Sequence, residues 1–93
     1  MNTQKLFCGI DVSSETLDIC YQTPDGNKAH LQVKNNKTGF AQILKTCNGN
    51  YHFVMEATGV YHLALVFFLY EKKVTFSVVN ALQIKRYIQM HLE

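Results

Sequence analysis

Asp11 and Glu56 each end an apolar run that otherwise reads as a buried strand. Asp11 follows Phe7-Cys8-Gly9-Ile10, and Glu56 follows Phe53-Val54-Met55. A carboxylate in that position is either a solvated rim residue or a ligand. Two ionised carboxylates held side by side repel, unless one is protonated or a cation lies between them. Oxygen-only ligands favour magnesium or manganese over zinc. A pair of such ions about 3.5–4 Å apart is a common device for in-line phosphodiester chemistry. Asp11 and Glu56 are therefore the candidate catalytic and metal-ligating pair, for Mg2+ or Mn2+. Glu15 and Asp18 read as solvated edge charges, and Asp25 belongs to a turn.

Other residues could hold a phosphate. Thr58-Gly59-Val60-Tyr61 follows Glu56 and opens an apolar helix. Free N–H groups at a helix start bind anions, and glycine permits close backbone approach; an ordinary Thr/Gly cap is the alternative. Ser13-Ser14 either presents hydroxyls near Asp11 or caps a tight turn. Lys85 and Arg86, beside Tyr87, either meet a backbone phosphate or form a solvated face. Ser13, Thr58, Gly59, Tyr61, Lys85 and Arg86 are thus the candidate nucleic-acid contacts. His30, His52, His62 and His91 fall into no zinc-binding spacing. Cys8, Cys20 and Cys47 are odd in number and sit among apolar residues, as free thiols of a reducing, cytoplasmic compartment do.

The elements that must position these groups follow from periodicity. Lys5–Val12 predicts a buried strand. Thr16–Thr23 and Lys28–Lys34 alternate in polarity around Pro24-Asp25-Gly26-Asn27, a strong turn signal, which predicts a hairpin. A tight Ser13-Ser14-Glu15 connection joins the first strand to it as an antiparallel meander. The period then changes. Phe40, Ile43, Leu44 and Cys47 share one helical face, capped by Asn36 or Thr38 and ended by Asn48-Gly49-Asn50. Tyr51–Met55 predicts a strand covered on both faces. Val60–Tyr70 is a helix apolar nearly all round, so it is buried or has a partner on its far side. Val74–Val79 is a further buried strand and Ala81–Leu92 a last helix. The order β-β-β-α-β-α-β-α predicts an α/β mixed sheet with helices on its faces. Ligands of such sheets collect at the C-terminal ends of parallel strands, where Asp11 and Glu56 both fall.

Three segments carry a resemblance. Gly9-Ile10-Asp11-Val12-Ser13-Ser14-Glu15-Thr16-Leu17-Asp18 resembles the opening of the DEDD transposases of bacterial insertion sequences, the Piv/MooV-type recombinases. Glu56-Ala57-Thr58-Gly59-Val60-Tyr61 resembles their second motif, and Val78-Val79-Asn80-Ala81-Leu82-Gln83-Ile84-Lys85-Arg86-Tyr87 a third stretch in the expected order. The resemblance covers essentially the whole chain. It implies a ribonuclease H-like, RuvC-like fold, and an acidic tetrad that cuts and joins DNA with divalent metal. Asp11 matches the first tetrad member and Glu56 the second. It also implies DNA and a structured non-coding RNA as partners. Two departures stand out. Ala81 replaces a usual proline, and the last two tetrad aspartates fall beyond Glu93. The resemblance is therefore to a partial domain, residues 1–93, without the family's separate domain and its serine nucleophile. Such a piece is expected to be inactive alone.

Composition bounds the alternatives. In 93 residues, 47% hydrophobic and 17% charged, there is room for one small folded domain. The apolar run Leu63–Tyr70 is far short of the roughly 20 residues that span a bilayer, and no signal peptide opens the chain. Nine basic against seven acidic residues give a net charge of +2, which neither demands nor forbids a nucleic-acid partner. A nucleotide-binding domain of the actin/sugar-kinase type shares the fold class. Against it, Ser13-Ser14 stands where a glycine-rich turn is needed, and the chain is too short for two lobes; ATP calorimetry would separate the two. A non-catalytic dimerisation module is the third reading, and a homo-oligomer is expected from the apolar helix Val60–Tyr70.

Overall fold

The computed structural model describes residues 5–57 and 59–79. Its elements are β1 (Leu6–Val12), β2 (Thr16–Gln22), β3 (Lys28–Lys34), α1 (Lys37–Thr46), β4 (Tyr51–Glu56), α2 (Leu63–Glu71) and β5 (Thr75–Val79). This is the predicted order as far as β5. The helix expected over Ala81–Leu92, with Lys85 and Arg86, lies outside the described residues, as does Thr58.

Local chemistry builds the meander. Ser13 closes the β1–β2 turn: its N–H and its hydroxyl both donate to the Thr16 carbonyl, at 3.0 and 2.9 Å. In the β2–β3 turn the Thr23 N–H donates to the Asn27 carbonyl at 2.8 Å, and Gly26 has φ +94°, a conformation that disfavours any side chain. A hydrogen bond from the Thr23 hydroxyl, followed by the Asn27 N–H, holds the Asp25 carboxyl below its usual range. The five strands form one sheet in the order β3-β2-β1-β4-β5, with β4 parallel to both neighbours. Parallel pairing requires crossovers, which α1 and α2 supply.

Both helices pack on one face. Cys8, Ile10, Leu17, Ile19, Phe53 and Met55 meet Phe40 and Ile43 of α1 and Leu65 and Leu69 of α2 in one core. Each fully buried side chain of this size stabilises by about 1.5–3 kcal/mol. Burial, and the Cys47 thiol beside it, push the Cys8 thiol well up, so Cys8 is an inert core thiol; Cys47 is buried in the same core. Cys8 and Cys47 are buried free thiols, as expected, whereas Cys20 is only partly buried.

The helix ends show what the sequence signals meant. Asn36 rather than Thr38 caps α1, its Oδ1 accepting from the Gly39 N–H at 2.9 Å. Gly39 is obligatory, because a Cβ there would lie 1.8 Å from the Lys34 carbonyl oxygen. Helix α2 starts at Leu63, three residues later than the apolar pattern suggested. Gly59 takes φ +54°, residues 59–62 form a turn, and His62 makes no side-chain cap bond. At the other end, Lys73 N–H bonds the Tyr70 carbonyl and Val74 N–H the Leu69 carbonyl. That is a Schellman closure with lysine, φ +59°, where glycine is usual. Apolar on all sides, α2 buries Leu65 and Leu69 but leaves Leu63, Phe67 and Tyr70 43, 67 and 74% exposed. No helix among the described residues is long and apolar enough to cross a membrane.

Candidate metal and nucleic-acid site

Strands β1 and β4 pair in parallel from Leu6–Tyr51 to Ile10–Met55. The next residue on each is Asp11 and Glu56. Strand alternation sends both to the face opposite α1 and α2. The two candidate ligands thus stand on strands about 4.8 Å apart, at the C-terminal end of the parallel pair. Asp11 is exposed and Glu56 half-buried. The Asp11 carboxyl is raised above its usual range, first by desolvation, then by the charge of Glu56, then by that of Asp18. The part of this rise that comes from Glu56 and Asp18 reflects a negative potential, which a cation also feels. All-oxygen donors in a field of excess negative charge fit a hard divalent ion such as Mg2+ or Mn2+.

Asp18 is the neighbour that sequence reasoning missed. The antiparallel β1–β2 register pairs it directly with Asp11. It was expected to be a solvated edge charge, and it is exposed; its place beside Asp11 was still legible, by counting back from the Ser13–Thr16 turn. Gln32 on β3 donates to its carboxylate at 2.9 Å. Among the described residues no three Asp, Glu, His or Cys side chains converge well enough to hold a metal. Asp18 adds its charge to the potential at Asp11, and Asp11 and Glu56 remain the candidate donors.

The candidate nucleic-acid contacts divide. The Ser13 hydroxyl is occupied within its turn, bonding the Thr16 carbonyl and lying 3.0 Å from the Thr16 hydroxyl. Gly59 and Tyr61 are exposed in the turn that leads from Glu56 into α2. They precede the helix instead of forming its first turn, so the expected helix-start phosphate site is not built by them. Thr58, Lys85 and Arg86 lie outside the described residues. Asn35, to which no sequence signal pointed, joins both sides of this end: its side-chain amide donates to the Ser13 carbonyl at 2.8 Å and to the Tyr61 carbonyl at 3.0 Å.

The fold is similar to that of a solved structure, T. thermophilus RuvC in complex with Holliday junction substrate. The two share 12% sequence identity and superpose with a TM-score of 0.61, over 91% of this chain and 70% of that one. At that identity the likeness is one of fold, and it makes this sheet ribonuclease H-like. No curated protein matches the chain in sequence. The family model DEDD_Tnp_IS110, described as transposase, matches residues 8–93. That span contains both strand-end carboxylates and the turn after Glu56, and by it the chain belongs to the DEDD transposases of IS110 type.

Proposed function

We propose that this chain supplies the first two acidic ligands of a metal-dependent DNA-cleaving and DNA-joining centre that acts in transposition of an insertion sequence. The observation that carries the reading is the placement of Asp11 and Glu56 on one face, at one end, of adjacent parallel strands. Asp11 and Glu56 would hold Mg2+ or Mn2+. Bound there, the metal supplies charge neutralisation for in-line displacement at phosphorus. The chain's own part is to fix two carboxylates and to present the Gly59–Tyr61 turn to the nucleic acid beside them. Tyr61 offers an exposed aromatic face on which an unpaired base can stack. Ser13, Thr58, Lys85 and Arg86 are the further proposed contacts; the Ser13 hydroxyl and N–H are both engaged within its own turn.

DNA is the proposed partner. Family membership and the junction DNA bound by the structurally similar RuvC support it. A structured non-coding RNA is proposed on the family resemblance, and the free buried thiols support a cytoplasmic setting. The outer side of α2 supports self-association: Leu63, Phe67 and Tyr70 recur at spacings of 4 and 3 and are exposed, as is Val60 in the turn before the helix, a stripe suited to a helix pair.

Two carboxylates hold a divalent ion loosely, so the 93-residue chain alone is expected not to turn over DNA. The reading is tested by incubating it with Mg2+ and supercoiled or branched DNA, and by titrating Mg2+ in thermal melts. Stabilisation by Mg2+ that is lost in Asp11→Asn and Glu56→Gln supports the reading. Stabilisation that survives both substitutions refutes it. DNA cleavage abolished by Asp11→Asn would show that two carboxylates suffice.

A further inference from the structure

Asp11 and Glu56 sit where the β1–β4 ladder ends: the last register pair is Ile10–Met55. The β1–β4 hydrogen bonds therefore set the spacing of these two strands only up to the carboxylates. Beyond them Val12 pairs with Leu17 of β2 and the Ala57 N–H bonds the Val79 carbonyl of β5, so the sheet holds each flank to its outer neighbour and not to the other flank. After Asp11 comes the Ser13 turn. After Glu56 comes the turn of residues 59–62, which opens a helix whose first residue lacks a side-chain cap. Asn35, between β3 and α1, is bonded to both. One amide nitrogen donates to the Ser13 carbonyl at 2.8 Å and to the Tyr61 carbonyl at 3.0 Å. The Asn35 backbone N–H donates to the Glu15 carbonyl at 2.9 Å, which anchors the residue to the first turn independently of its side chain.

The chemistry of the bridge is specific. Its two acceptors are carbonyls, so the bridging atom must carry two protons, which a primary amide nitrogen does. An aspartate in the same space would turn an oxygen toward two carbonyl oxygens. A serine would have one proton for two acceptors.

We infer that Asn35 is a positioning residue for the carboxylate pair: its amide ties the segment after Asp11 to the segment after Glu56 and so sets the geometry in which the two can share an ion. This rests on the metal reading given above. Asn35 touches neither carboxylate, and it acts through the backbone of Ser13 and Tyr61. Hydrogen-bonded supports of this kind are worth about 10–100-fold in metal affinity when lost, and a bridge one step removed belongs at the lower end.

The test is a titration of the isotope-labelled chain with Mn2+ alone, read as paramagnetic broadening of amide signals. In the wild type, signals flanking Asp11 and Glu56 should broaden with a common midpoint. In Asn35→Ala the midpoint should rise about tenfold and the two flanks should part, while signals of β2 and α1 stay in place. Asn35→Asp, equal in size but without the two donors, should do the same; Asn35→Gln, which keeps both donors, should retain the common midpoint. Wild-type midpoints in both Asn35→Ala and Asn35→Asp overturn the inference and leave the metal reading intact. Should Asn35→Ala fail to fold, the Asp and Gln variants decide by the same criterion. Broadening that is absent in the wild type, or that survives Asp11→Asn, overturns the metal reading and this inference with it.

Discussion

Replacing Asp11 by asparagine is expected to stabilise the metal-free protein at neutral pH. Asp11 faces Asp18 directly across one strand pair and stands beside Glu56 across the other. Both neighbours, after desolvation, raise its carboxyl above the usual range. Between the unfolded pKa and the raised folded one, the folded state therefore retains a proton that the unfolded chain has released. Stability falls as pH rises from the unfolded pKa toward the raised folded one, and stays reduced above it. Like charges on strands about 4.8 Å apart repel by about 0.9 kcal/mol in water-like surroundings. Asp11 is exposed, so screening discounts the sum over two neighbours to about 1 kcal/mol. In a domain of this size that is about 4–8 °C in Tm. Among the described residues no hydrogen bond to the Asp11 carboxylate offsets the gain, whereas the loss of a capping carboxylate would cost about as much. The assay is a thermal melt of wild type and Asp11→Asn in chelator, at pH 7 and again near pH 3, followed by excess Mg2+ at pH 7. The variant should melt higher at pH 7, the difference should shrink near pH 3, and Mg2+ should stabilise the wild type alone. A variant that melts lower in chelator, with a wild type indifferent to Mg2+, would refute the reasoning and the ligand role of Asp11 together.

Four further outcomes follow from the packing. Gly39→Ala should destabilise by about 3 kcal/mol or more, because the new Cβ meets the Lys34 carbonyl at 1.8 Å; a chemical melt within 1 kcal/mol of wild type, on the order of the usual surface effect, would contradict the docking of α1 on β3. Lys73→Gly should stabilise by about 0.5–1 kcal/mol, since glycine adopts φ +59° without steric cost, and urea unfolding would read it. Leu69→Ala, at a fully buried position of α2, should cost about 2–5 kcal/mol. Sedimentation velocity should show concentration-dependent self-association that Phe67→Ser with Tyr70→Ser abolishes; a wild-type monomer at every concentration would remove α2 as an interface.

Local elements were legible because their causes are local. The alternation of Thr16–Gln22 and Lys28–Lys34 around Pro24-Asp25-Gly26-Asn27 is a matter of side-chain parity and turn chemistry within a few residues. The face of α1 follows likewise from the spacing of Phe40, Ile43 and Cys47, and its cap from the carboxamide of Asn36. Asp11 and Glu56 could be singled out because a charge at the end of an apolar run contradicts its surroundings. Tertiary structure alone decided that these carboxylates stand side by side. Residues 45 positions apart become neighbours only because α1 carries β4 back to pair in parallel with β1, and one step of register would have sent one of them to the other face. The late start of α2 depends on the backbone of Gly59, which no side chain encodes. Lysine in the left-handed position at residue 73 escaped notice because lysine is rare there. Asn35 looked like one polar residue in a polar stretch; its role arises from two carbonyls, 22 and 26 residues away, that meet only in the folded chain.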